Sequence, residues 1–109
     1  TTAAKTFSLL VQLRFSSPSH VPPFLSAFLP LQSYCQSDAE PNTLMYQLMK
    51  SDKDPLLYNI VERYADKERD YLGTHKSGEL FLKFREKLKG MMEGGHVEVD
   101  GESYLDVVE

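Results

Sequence analysis

A single cysteine, Cys35, stands in the 109-residue chain, so an internal disulfide is excluded and a reducing, cytoplasmic setting is expected. No apolar run approaches the roughly 20 residues that a membrane-crossing helix needs. Positive charge is not in excess: 12 basic residues face 16 acidic ones, a net charge of −4. The basic residues are scattered, and Lys83, Arg85, Lys87 and Lys89 share a segment with Glu86, so the clustered positive face of a nucleic-acid binder is excluded. His20, His75 and His96 are far apart, and neither Cys-x-x-Cys nor His-Glu-x-x-His spacing occurs, so no metal site is expected. Gly94-Gly95 stands alone, without the strand and helix that a phosphate-binding loop requires. Thr1 to Lys5 lacks a hydrophobic signal core and reads as a frayed end or a processed start. There is no internal repeat.

What is present points to one globular domain over 1–109. Apolar content of 41% and charged content of 26% are ordinary for such a domain. From Lys5 to Phe15 the chain alternates, with Phe7, Leu9, Val11, Leu13 and Phe15 on one face, which predicts a strand. Pro22-Pro23 suits a first helical turn, and Phe24, Leu25, Phe28, Leu29, Leu31 and Tyr34 form a broad apolar stripe as far as Gln36 to Asp38. Pro30 removes a backbone donor and is expected to kink that helix or split it near Ala27. Thr43–Met49 reads as a second strand, with Leu44, Tyr46 and Leu48 on one side. Ser51 to Pro55 is a turn, and Leu56–Tyr64 is a third strand pairing back on the second. Asp66 can cap a short helix over Lys67–Thr74 that stops around Gly73. A longer helix begins at Ser77 or Gly78, carries Leu80, Phe81, Phe84, Leu88 and Met91, and ends at Gly94-Gly95. His96–Val108 is a last strand region, in which Asp100-Gly101 suggests a tight hairpin or a bulge.

Strand, helix, strand, strand, helix, strand is the order of the α+β, ferredoxin-like split βαβ arrangement, an antiparallel sheet with helices on one face. On either choice of phase the other face keeps apolar groups: Met45 and Met49 or Leu44 and Leu48, with Leu57 and Val61 or Leu56 and Ile60. A bare apolar sheet of this size is a liability for a monomer, so a homodimer through sheet packing, or through an exposed edge, is expected.

Glu40-Pro41-Asn42-Thr43-Leu44-Met45-Tyr46 resembles the Glu-Pro-Gly-(Cys/Thr)-Leu-x-Tyr signature of antibiotic biosynthesis monooxygenase (ABM) domains. Val61-Glu62-Arg63-Tyr64, with His75, Ser77 and Phe81 following, is similar to that family's Glu-x-(Trp/Tyr) strand end and the histidine-bearing helix after it. Asn42 replaces the usual glycine, and asparagine also tolerates positive φ. The resemblance covers nearly the whole chain. It implies a dimeric α+β barrel with a pocket between each sheet and its helices. It further implies oxygenation of a small phenol or quinol-type ligand by O₂ without a bound cofactor: the deprotonated substrate itself reduces O₂, and the protein supplies a dry pocket, a proton acceptor and hydrogen bonds. Other members degrade haem, isomerise a signalling ketose phosphate or have no established activity. The haem-degrading branch uses an Asn, a His and a Trp, whereas this chain has no tryptophan and offers Gln12 in its first strand.

His75 is the foremost candidate, as proton handler or as a residue fixing the helix junction against Glu62. Asn59 and Arg63 share a strand phase and either anchor a substrate oxygen or form a solvent-facing row. Tyr46, Tyr58, Tyr64 and Tyr71 are pocket wall or core with satisfied hydroxyls, and Tyr46, Tyr64 and Tyr71, with Glu62, are the substrate-binding candidates. Glu62 is a buried base or an ion-paired residue beside Arg63 and Arg69. Met45 and Met49 contact a flat ligand or pack, and Cys35 reads as a buried thiol. Two other functions stay open: a non-catalytic dimer that binds a small ligand or serves a stress role, and an isomerase whose substrate phosphate only Arg14, Arg63 and Lys76 are available to hold.

Overall fold

A computed structural model describes residues 5–107. Four strands, β1 (Phe7–Phe15), β2 (Thr43–Lys50), β3 (Leu57–Tyr64) and β4 (Val97–Leu105), form one antiparallel sheet in the order β2-β3-β1-β4. Helix α1 (Val21–Cys35) links β1 to β2, and a wide helix (Lys67–His75) followed by α2 (Glu79–Glu93) links β3 to β4. This is the expected ferredoxin-like order, with the helices packed on one face. The expectations for Thr1 to Ala4 and for Val108 lie outside the described residues.

Alternation decides which side of each strand is dry. In β1, Phe7, Leu13 and Phe15 are buried, and the register pairs them with Tyr64, Tyr58 and Val97. In β3 the buried residues are Tyr58, Ile60, Glu62 and Tyr64, while Leu57, Asn59, Val61 and Arg63 face away from the helices. Strand β2 departs from simple alternation. Its register slips between Thr43 and Met45, so Leu44 bulges out and is 57% exposed instead of sharing the dry side with Tyr46 and Leu48.

Helix α1 buries a narrower stripe than expected: Val21, Phe24, Phe28, Leu31 and Cys35. Leu29 and Tyr34 fall outside it and are exposed. Pro30 does not split the helix, which runs unbroken from Val21 to Cys35. Proline at this position leaves the Ser26 carbonyl without a helical donor, and both residues are exposed, so that carbonyl is open to solvent.

The segment after β3 differs most from expectation. Asp66 does cap it, accepting from the Arg69 N–H at 2.7 Å, but Gly73 does not stop it. The turns are wide: Tyr71 N–H bonds Asp66 O at 3.3 Å, and Lys76 N–H bonds Tyr71 O at 3.0 Å. This five-residue spacing stacks Asp70 and His75 on one inward line, and both are buried. Helix α2 then starts at Glu79 and closes at Gly94, with Gly95 at φ 73°, a left-handed conformation suited to glycine. In β4, Asp100-Gly101 makes neither a hairpin nor a bulge: both pair in unbroken register with Gln12 and Val11.

The open face of the sheet is mixed rather than uniformly apolar. Its rows read Met45–Arg63–Ser8–Tyr104, Gln47–Val61–Leu10–Glu102 and Met49–Asn59–Gln12–Asp100. The helical side carries a cluster of aromatic rings among its aliphatic residues. Phe28 lies 5.2 Å from Phe84, 5.4 Å from Phe24 and 5.6 Å from Tyr46, centroid to centroid. Phe28 is fully buried whereas its neighbour Leu29 is 43% exposed. Phe28→Ala should therefore cost about 3–5 kcal/mol in urea unfolding, while Leu29→Ala should stay within about 0.5 kcal/mol of wild type.

Candidate functional site: a buried histidine between two carboxylates

Three distant parts of the chain meet under α2. The end of α1 supplies Cys35, the connection to β2 supplies Glu40, and the last turn of the wide helix supplies His75. Glu40 is held by its own turn: its N–H bonds Ser37 O, its carbonyl accepts from Thr43 N–H, and its Oε1 accepts from the Thr43 hydroxyl at 2.8 Å. Asn42 needs no left-handed conformation there, since among the described residues only Gly95 has positive φ. Instead its side-chain amide donates to Asp70 at 3.3 Å, tying the β2 entry to the wide helix.

His75 is wholly buried, and its ring is clamped from one end only. Nδ1 lies 3.2 Å from both oxygens of Glu40 and 3.5 Å from the Cys35 sulfur. Nε2 points toward Glu62, whose Oε1 is 3.9 Å away, beyond hydrogen-bond reach, and it has no partner among the described residues. Glu62 is itself buried and accepts from the Tyr64 hydroxyl at 2.6 Å. Aromatic rings close the compartment: Phe81, Tyr46, Tyr64 and Tyr71 sit 4.8, 5.1, 5.5 and 6.2 Å from the His75 ring.

The two carboxylates are pushed in opposite directions. Burial works against the charge on Glu40, yet bonds from His75, Thr43 and Cys35 outweigh it and hold its pKa below the usual carboxylate range. For Glu62 burial wins over the bond from Tyr64, and its pKa rises to about 7. Burial, then the charge on Glu62, also raises the pKa of Tyr64, Tyr46 and Tyr71. Burial and the neighbouring Glu40 push the Cys35 thiol up as well, so it is held protonated. The arrangement thus contains one carboxylate that stays charged and one that exchanges a proton near neutrality, with an imidazole between them.

The structure brings His75, Glu62, Tyr46, Tyr64 and Tyr71 together. It does not bring Asn59 and Arg63 to them, because odd-numbered residues of β3 face the other side of the sheet. Arg63 there bonds Ser8 Oγ at 2.7 Å and both oxygens of Asp106 at 3.2 and 2.9 Å. Glu62 is not ion-paired with Arg63 or Arg69, since Arg69 is held by Asp70. Tyr58 packs on Phe15, away from His75. Met45 and Met49 lie on the open face. Arg14 is bound to Asp54 and Lys76 lies over the Tyr71 ring, so no basic cluster gathers for a phosphate.

The sequence pattern does not single out Glu40 and Cys35 as site residues. Glu40 opens the stretch that carries the family resemblance, which was the available signal, whereas Cys35 lies 40 residues from His75 and shows none in sequence. The pocket expected between sheet and helices is filled by aromatic side chains. The hollows beside the cluster approach it from outside. One of about 50 Å³ is lined by Glu40, Asn42, Thr43, Asp70 and Thr74, and one of about 300 Å³ by Cys35, Thr43 and Tyr46 with their neighbours.

No protein-family model and no curated protein matches the chain. Solved structures do. It is similar to a Nitrosomonas europaea protein provisionally named an antibiotic biosynthesis monooxygenase, with a TM-score of 0.75, 16% identity, and 99% of this chain and 96% of that one covered. A Caulobacter crescentus protein with the same provisional name gives a TM-score of 0.68 at 22% identity, covering 97% of this chain and 92% of that one. SnoaB of Streptomyces nogalater, named a cofactor-independent oxygenase, gives 0.72 at 10% identity, covering 97% of each chain. The α+β fold is therefore that of proteins bearing the ABM name, and identities this low speak for the fold alone.

The raised Glu62 makes a test of the cluster. The unfolded chain loses this proton near 4.5 and the folded chain near 7, so stability falls as pH rises through that window and is flat above it. The full effect is on the order of 3 kcal/mol. Glu62→Gln keeps an acceptor for Tyr64 and cannot ionise. Relative to wild type it should gain up to that amount in urea unfolding between about pH 5 and about pH 8, and an equal gap at both pH values contradicts the assignment.

Proposed function

We propose that the chain is a cofactor-independent monooxygenase of a small aromatic or quinol-type compound, acting as a homodimer. The observation that carries this reading is the unpartnered Nε2 of His75 facing the Glu62 carboxyl at 3.9 Å, inside a wall of phenol rings. Two groups that exchange protons are held there out of water, which is what the chemistry asks of the protein. A phenolic hydroxyl placed between them gives its proton to His75 or to ionised Glu62. The resulting electron-rich anion reduces O₂ by itself, and the Tyr64 hydroxyl is positioned to hydrogen-bond developing negative charge on oxygen. Tyr46 and Tyr64 form the wall. Tyr71, half-buried on the wide helix, is the ring that must swing aside to admit a substrate ring of similar size.

The dimer part of the proposal rests on the open face. Leu10 and Val61 pair at its centre, with Met45, Met49 and Tyr104 exposed around them. Packing two such faces together shelters these groups and places Asn59 and Arg63 toward the partner, as interface residues rather than catalytic ones. Native mass by light scattering at micromolar concentration should report two chains, and Val61→Lys should halve it. A monomeric wild type contradicts this part.

A second reading, a non-catalytic dimer in which the cluster only braces the fold, is favoured by the complete burial of His75. Oxygen uptake separates the two. With a panel of hydroquinones, wild type should consume O₂, and both His75→Gln and Glu62→Gln should be slower by about 100-fold or more at unchanged fold. If no hydroquinone drives uptake, or both variants match wild type, the cluster is structural.

A further inference from the structure

One end of the His75 ring is crowded and the other is unmatched, and hydrogen bonding accounts for this poorly. At Nδ1, two carboxylate oxygens at 3.2 Å and a thiol sulfur at 3.5 Å converge on a nitrogen that carries at most one proton. A charge-assisted bond to a carboxylate is normally about 2.7–2.9 Å, so both contacts to Glu40 are long. At Nε2 there is no partner among the described residues, although the Glu62 carboxyl is aimed at it.

The same distances have a second meaning. Ligand lengths of about 2.3 Å for sulfur and 2.0–2.2 Å for nitrogen and oxygen, at tetrahedral angles, separate the donors by about 3.3–3.6 Å. Here sulfur and nitrogen are 3.5 Å apart, sulfur and oxygen 3.5 Å, and nitrogen and oxygen 3.2 Å. All three donors are buried and come from rigidly placed segments: the last residue of α1, the turn braced by Thr43, and the end of the wide helix. We propose that Cys35, Glu40 and His75 form a binding site for a borderline-soft divalent cation of the zinc type, held by Cys35 Sγ, a Glu40 oxygen and His75 Nδ1. The thiol gives its proton to solvent on binding, so thiolate and carboxylate together match the charge of the cation. Ligation at Nδ1 fixes the ring proton on Nε2, where it turns to Glu62, and the unmatched nitrogen becomes the link of a carboxylate–histidine–metal chain. A fourth position remains for water, and the hollow lined by Cys35, Thr43 and Tyr46 brings solvent near it.

With a metal on Nδ1 the ring proton sits on Nε2, so in that form ionised Glu62 alone is left to take the substrate proton, whereas the metal-free ring accepts at Nε2. Cobalt titration needs no substrate, and oxygen uptake in the presence of chelator needs no metal, so the two fail separately. Chelator-treated, reduced protein should take up about one Co²⁺ per chain, with thiolate-to-cobalt charge-transfer absorption in the near ultraviolet and tetrahedral bands in the visible. Zinc should displace the cobalt. Cys35→Ser should lose the charge-transfer band. Glu40→Gln should bind cobalt about tenfold or more weakly. Wild type without a charge-transfer band, a band that persists in Cys35→Ser, or unchanged affinity in Glu40→Gln would each overturn the site.

Discussion

The contact between the imidazole of His75 and the carboxylate of Glu40 ties together, in the buried interior, parts of the chain that are distant in sequence. Glu40 belongs to the connection out of α1, His75 to the wide helix after β3, and the 34 residues between them include two strands. Because the ring is wholly buried, its polar atoms have no recourse to water. The surrounding turns are built to meet that demand. Thr43 and Ser37 hold Glu40, Asn42 reaches across to Asp70, and the five-residue spacing of the wide helix swings His75 inward on the same line as Asp70. With ordinary helical spacing, two residues five apart fall on different faces, and one of this pair would point outward.

The second constraint is the period of a strand. In β3 four residues carry polar or aromatic groups able to do chemistry: Glu62, Arg63 and Tyr64 in sequence, and Asn59 three residues before them. The pleat sends Glu62 and Tyr64 under the helices and Asn59 and Arg63 to the open face. One face thereby gathers a dry cluster with opposed carboxylates. The other gathers a mixed surface in which Arg63 is already engaged by Ser8 and Asp106. Even a register slip would only exchange the two faces and leave the two sets apart.

Hydrogen bonding then divides the labour between the carboxylates, both of which are buried. Glu40 is richly bonded, by His75, Thr43 and Cys35, so it keeps its charge. Glu62 has one hydroxyl for company, so it holds its proton until near neutrality. The difference lies in surroundings alone, since the side chains are identical, and it gives the interior both a fixed anion and an exchangeable proton around a single imidazole.

The alternation of β1 and the three- and four-residue spacing of α1 and α2 made the element order, the antiparallel sheet and the one-sided helical cover readable from the amino-acid sequence, because those periods express local backbone geometry. The Glu40-to-Tyr46 and Glu62-to-His75 stretches likewise marked the region of the site. Tertiary structure decided the rest. A bulge at Leu44 reset the phase of β2, solvent around Ser26 let Pro30 sit inside a continuous helix, and β1 held Asp100-Gly101 in register where local turn chemistry favoured a bend. The nearness of Cys35 to His75, the separation of Arg63 from Glu62, and the filling of the expected pocket by aromatic rings follow from contacts between residues distant in sequence. Local periodicity carries no information about such contacts, and only the folded packing could settle them.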